Sequence, residues 1–145
     1  MATATSLELE QGWALHPKLA ADTFGIGPSV LSAIRLMNDA RYPWLILVPR
    51  RPNMHEFVDL QDNEQSLLLD EIRRCCELFK ALHKPARINI AMIGNVVPQF
   101  HVHVIARFTD DATWPRPVWG LGETQPYAPE VINARGTRYK QFFGI

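Results

Sequence analysis

The chain is expected to fold as a single α+β domain, a mostly antiparallel sheet with one long helix packed on it. Three observations carry that expectation. Residues 62–83 repeat apolar side chains at steps of three and four, the period of a helix with one buried face. Residues 100–108 alternate apolar and non-apolar side chains, the period of a strand. A length of 145 residues supplies one compact core and too little for two comfortable ones. Within it, residues 1–110 are assigned to the domain. Residues 111–145, with their Pro, Gly and Trp, are read as a tail packed on the domain or on a partner subunit.

Taken in order, residues 1–6 are small and polar and are expected to fray. Residues 16–22 suit a short helix, because Pro17 is tolerated in a first turn. Gly25-Ile-Gly-Pro28 is read as a break in regularity. Residues 30–37 are apolar with one Arg and read as a strand, closed by the turn pair Asn38-Asp39. Trp44-Leu-Ile-Leu-Val48 is a continuous apolar run ending at Pro49, the pattern of a strand covered on both faces. Arg50-Arg-Pro-Asn53 is loop, and residues 56–60 suit a short helical turn.

The long helix follows, with Asp62 as its cap and Gln65 three residues on, as in a capping box. Leu68, Ile72, Cys75, Cys76, Phe79 and Leu82 form its stripe, and Lys84-Pro85 ends it. Residues 87–93 alternate as a strand and are expected to pair antiparallel with residues 100–108. Pro115, Pro117, Gly120, Gly122, Pro126 and Pro129 make the stretch after that too broken for regular structure. Trp114 and Trp119 make it apolar enough to pack.

Composition narrows the function. Apolar residues are 47% of the chain, so it is not a solvated tail. Lys plus Arg and Asp plus Glu are 15 each, so no overall field selects nucleic acid or an anionic membrane as partner. Arg50-Arg51 is the local cationic candidate; it is otherwise a solvated loop. Cys75-Cys76 are adjacent inside a helix, poorly placed to bridge each other, and suit a reducing compartment. No apolar run reaches the roughly 20 residues of a membrane span, and residues 1–6 lack the regions of a secretory signal. The expected location is cytoplasmic.

Chemistry concentrates in Pro98-Gln-Phe-His-Val-His-Val-Ile-Ala-Arg107. Phe100, Val102, Val104, Ala106 and Phe108 share one strand face and look buried. Gln99, His101, His103, Ile105 and Arg107 share the other, placing two imidazoles roughly 6.5–7 Å apart along the strand. A neutral imidazole can attack phosphorus, and a protonated neighbour can donate to phosphate oxygens. The same spacing also suits zinc, or a half-exposed polar sheet face. Zinc has less behind it: His16, His55 and His83 are scattered and read as surface residues, and no CxxC or HExxH pattern is present. No cofactor and no metal are expected.

Gln99-Phe-His101-Val-His103-Val-Ile resembles the motif of the histidine triad (HIT) superfamily, with glutamine in place of its first histidine. The resemblance extends to Met37-Asn38, to Tyr42-Pro-Trp-Leu-Ile-Leu-Val-Pro49, to Glu56-Phe-Val-Asp-Leu60 and to residues 114–120, and covers about residues 30–120. It implies a HIT-like fold and hydrolysis or transfer on a purine nucleotide phosphoramidate or dinucleoside polyphosphate. His101 matches the nucleophile that forms a nucleotidyl-histidine, and His103 the residue that assists at the phosphate. Asn38 matches a position that holds the sugar, against the plainer reading of a turn residue. Asn89 or Asn95 matches polar residues near the phosphates. Arg107 on the histidine face is open to two readings, a phosphate partner or a structural ion pair.

The resemblance further implies a homodimer. It also leaves two departures: Gln99 cannot shuttle a proton, though it donates and accepts hydrogen bonds, and Trp44-Leu45 stands where some members carry a further histidine. A nucleotide-binding module with little turnover, or a metal-binding protein using His101 and His103, are the alternatives.

Overall fold

The computed structural model describes residues 12–145. The expectation for residues 1–6 lies outside them. Helix α1 (Pro17–Asp22) leads into strands β1 (Thr23–Pro28), β2 (Ser32–Met37) and β3 (Trp44–Pro49). A 3-10 turn (Phe57–Asp59) precedes helix α2 (Asp62–Leu82), then strands β4 (Arg87–Ala91) and β5 (Val102–Arg107), and finally helix α3 (Pro129–Phe143). The five strands form one sheet in the order β1-β2-β3-β5-β4, antiparallel at every junction. The architecture is α+β, as the sequence predicts. Among the described residues, no helix is long and apolar enough to cross a membrane.

Inserting β5 between β3 and β4 puts the histidine strand near the middle of the sheet, where both faces are covered. On the helix side, Leu45, Leu47, Val102, Val104 and Ala106 pack with Leu68, Ile72, Cys75, Leu78 and Phe79 of α2. On the opposite side, Trp44, Ile46, Val48 and Ile105 gather Leu19, Tyr42, Val97 and Val118, with Trp13, Leu15 and Trp119 packed against them. All six residues of β3 and all six of β5 are buried.

Several local expectations are corrected. Gly25-Ile-Gly-Pro28 is strand, not a break: β1 pairs with β2 through an irregularity between Gly25 and Gly27. Gly27 sits at φ 149, a conformation open to glycine, so the residue that suggested an interruption is what lets the strand bulge and continue. The cap of α2 lies one residue earlier than expected: Glu64 Oε1, not Gln65, reaches back to the Gln61 N–H at 3.0 Å. Within the α2 stripe Cys76 is only half-buried while Leu78 is fully buried.

The largest correction is α3 in the segment read as irregular. Pro129 starts it at a position where no N–H is needed, and Gly144 ends it in the left-handed conformation at φ 76. Its buried side chains, Ile132, Tyr139 and Phe143, join the helix-side core. They are spaced too sparsely along a polar helix to announce it.

Arg50 and Arg51 are not a solvated patch. Arg50 is 1% exposed, and its guanidinium donates to the Ser29 and Leu31 carbonyls. Arg51 pairs with Glu64 at the start of α2. Both cysteines are free thiols.

Candidate active site

His101 lies one residue before β5, His103 within it, and both are 6% exposed. Their ring centroids stand 4.9 Å apart, closer than a flat strand would set them, and meet edge to face at 72°. His101 Nδ1 lies 2.7 Å from the Gln99 carbonyl oxygen. A carbonyl only accepts, so Nδ1 carries the proton and the Nε2 lone pair is left for chemistry. Burial pushes His101 below the ordinary histidine value, the Gln99 carbonyl opposes that shift, and His16 adds to it. The net shift favours the neutral ring, the form with a lone pair to offer.

His103 is enclosed by aromatic rings. Trp44, one strand over on β3, donates its indole N–H to His103 Nδ1 at 3.0 Å. Trp119, from the segment before α3, meets its ring edge to face, the centroids 5.1 Å apart. Trp44 and Trp119 also meet each other at 5.9 Å. Burial above all, with the charge of His101 a lesser cause, pushes His103 down to about 3. This differs from the imidazolium the sequence suggests for His103: the pocket keeps it uncharged.

Gln99 has both ends of its amide engaged. Oε1 accepts from the His16 N–H at 2.9 Å, and Nε2 donates to the Ala14 carbonyl at 2.8 Å. The glutamine in the first motif position thus anchors the segment ahead of α1. His16 is accordingly not a plain surface residue: it is half-buried, and its Nδ1 caps α1 by accepting from the Lys18 N–H at 3.1 Å. Nor is His83, whose Nε2 lies 2.6 Å from the Tyr139 hydroxyl.

The remaining candidates disperse. Asn38 Oδ1 accepts from the Tyr127 N–H at 2.9 Å, tying the end of β2 to the segment before α3. Asn89 shares the histidine face, opposite Ile105 on β4, and accepts from Arg107 Nη1 at 2.9 Å. Arg107 is 1% exposed and grips Asp111 through Nε at 2.7 Å and Nη2 at 3.0 Å. Asn95 is exposed in the loop between β4 and β5. The small cleft at His101 is shared with His55, Glu56, Met92, Ile93 and Gly94. The two larger hollows, each about 530 Å³, are lined by neither histidine. Among the described residues, no group of three or more His, Cys, Asp or Glu side chains is placed to hold a metal ion.

Sequence reasoning missed Trp44 and Trp119 as neighbours of His103. The signal for Trp44 is the register Trp44↔Ile105, which sets its indole beside the histidine face and which no single-strand pattern discloses.

Two buried imidazoles at the head of a central antiparallel strand, meeting edge to face, are the arrangement to set beside known proteins. A HIT domain profile matches residues 19–110, and the chain belongs to the HIT family. Three solved structures are close to it throughout. A histidine triad protein from Bradyrhizobium japonicum is 43% identical, with a TM-score of 0.87, over 90% of this chain and 97% of that one. One from Sinorhizobium meliloti is 39% identical, with a TM-score of 0.88, over 91% and 98%. One from Marinobacter aquaeolei is 38% identical, with a TM-score of 0.89, over 92% and 97%. Comparison with curated proteins gave no significant match.

Proposed function

We propose that the chain cleaves or transfers at a phosphoanhydride or phosphoramidate bond of a purine nucleotide or dinucleoside polyphosphate, through a nucleotidyl-histidine on His101. The observation that carries this reading is the His101 ring, neutral and held by Gln99 O at Nδ1 so that Nε2 is the reactive atom. The Nε2 lone pair forms the N–P bond at the α-phosphorus while the bond to the leaving group breaks. The leaving group departs with that electron pair and takes a proton from water. Water, or another acceptor, then attacks the phosphorus, releasing the nucleotide and restoring the imidazole. His103 assists as a hydrogen-bond donor at the phosphate. Asn38, Asn89 or Asn95 would serve the sugar and phosphates through whatever donors their present bonds leave over. Arg107 acts through Asn89 and Asp111, which already hold its guanidinium.

The decisive experiment is the intact mass of the protein after brief incubation with an adenosine 5′-phosphoramidate, quenched in mild alkali. An added nucleotidyl group that is lost in His101→Ala is the expected result. One observation favours a second reading, a nucleotide-binding module with little turnover: the Gln99 amide is tied at both ends to residues 14–16, and an amide relays no proton. Calorimetric binding with neither adduct nor product would select that reading.

A homodimer is supported by the free edge of the sheet. β4 is an edge strand, and Ile90, Met92, Ile93 and Val96 on it and just beyond it are exposed apolar side chains. Sedimentation should give twice the chain mass, falling to one chain in Ile90→Lys; a monomeric wild type excludes the dimer.

A further inference from the structure

We infer that Trp44 is a positioning residue that fixes the proton of His103 on Nε2, making His103 a neutral, one-way hydrogen-bond donor. The catalytic side of this inference rests on the reading of the site as a phosphate site; the proton position does not.

The argument starts from the indole, which is a donor and never an acceptor. With Trp44 Nε1 at 3.0 Å from His103 Nδ1, that imidazole nitrogen must present its lone pair. A neutral ring then carries its proton on Nε2. Adding a second proton at Nδ1 would set two N–H groups against each other inside a pocket closed by Trp44, Trp119 and His101. Across the sheet the register puts Ile46 and Ala91 opposite His103, neither of which ionises. Among the described residues, the ionisable group acting on His103 is His101, itself held neutral.

The two histidines thereby become complementary. His101 holds its proton on Nδ1 and offers a lone pair at Nε2; His103 holds its proton on Nε2 and offers a donor. A backbone carbonyl sets the first and an indole sets the second, and neither needs a charge. This gives Trp44 a task at the very position where the sequence departs from family members with a further histidine. It also explains how the motif works with Gln99 in its first place: neither ring depends on a proton relayed through that residue.

The test is a long-range proton–nitrogen correlation spectrum of the full chain, labelled with ¹⁵N in His and Trp, recorded from mildly acidic to neutral pH. Wild type should show His103 in the Nε2–H form and a scalar coupling across the hydrogen bond between Trp44 Nε1 and His103 Nδ1. In Trp44→Phe the coupling disappears and the other tautomer becomes populated. With the phosphoramidate, Trp44→Phe should lower kcat about 10-fold, the worth of one hydrogen bond, with KM little changed. Absence of the coupling in wild type overturns the inference, whether or not the variant folds. So does a Trp44→Phe spectrum in which His103 keeps its wild-type shifts. If the coupling is present but wild type turns over no nucleotide, the functional reading fails and the proton assignment stands.

Discussion

β5 is buried on both faces, and the two faces achieve it by different means. On the helix side Val102, Val104 and Ala106 have no exposure and meet only apolar neighbours. On the other side His101, His103 and Arg107 are almost as deeply covered, yet the partners of each are individually specified: Gln99 O, the Trp44 indole, and Asp111 with Asn89. Dispersion and water exclusion are non-directional, so the first face tolerates exchange of one aliphatic side chain for another of similar volume. Hydrogen bonds and charges are directional, and a lost partner leaves a buried polar group unsatisfied. On this second face each ring is fastened through Nδ1 and the guanidinium through Asp111 and Asn89, and the two imidazole Nε2 atoms are what those bonds leave over.

Breaking the polar face at its most buried ion pair should have the largest effect. Arg107→Met leaves Asp111 in place without its cation. Desolvation already works against that carboxylate, and Arg107, with the Phe108 and Thr113 N–H groups, holds it below the usual carboxylate range. The expected loss is about 3–5 kcal/mol in denaturant unfolding; a loss near zero would mean that the pair contributes nothing net. On the apolar face, Val104→Ala removes two carbons and leaves a small cavity, for about 2 kcal/mol by the same measurement. If that loss equals or exceeds the Arg107→Met loss, the contrast between the faces is lost.

The smallest effect sharpens the comparison through pH. His103 is held at about 3 in the folded chain, chiefly by burial, against an ordinary value of 6.5. Between those values the unfolded chain takes up a proton that the folded chain refuses, so acid favours unfolding. The stability that His103 contributes is present above pH 6.5 and drains away as pH falls, by at most about 1.4 kcal/mol per pH unit. His83, pushed down to about 4 by burial and by Arg135 and Arg138, adds a slope of the same sign. Unfolding of His103→Phe from pH 7 to pH 5 should show a shallower decline than wild type; parallel declines would mean that His103 titrates alike in both states.

What the sequence disclosed follows from which interactions are local in the chain. The α2 stripe, the apolar run of β3 and the alternation through β5 are written in consecutive residues, and the structure reproduces them to within a residue or two. β1 was hidden because its glycines signal a turn in one dimension and a bulge in three. α3 was hidden because tertiary packing at Ile132, Tyr139 and Phe143 anchors a helix whose own apolar pattern is thin. At the site, the nearness of His101 and His103 was legible from period two alone. The partners that set each ring's proton were not: Trp44 is 59 residues from His103 in sequence, and Gln99 meets His16 across 83. Side-chain partners at such separations depend on strand register and loop course, which a single sequence leaves open.

The Gln99 amide has a topological consequence. Its bond to Ala14 O spans 85 residues, closing into one loop everything from the segment ahead of α1 to the threshold of the histidine strand. Closing a loop of that size carries an entropic cost that only the assembled sheet can offset. The fastening of the early segment and the placement of Gln99, two residues before His101, are therefore one event: whatever loosens the knot at Gln99 releases both, and whatever secures residues 14–16 from outside tightens the strand end at His101.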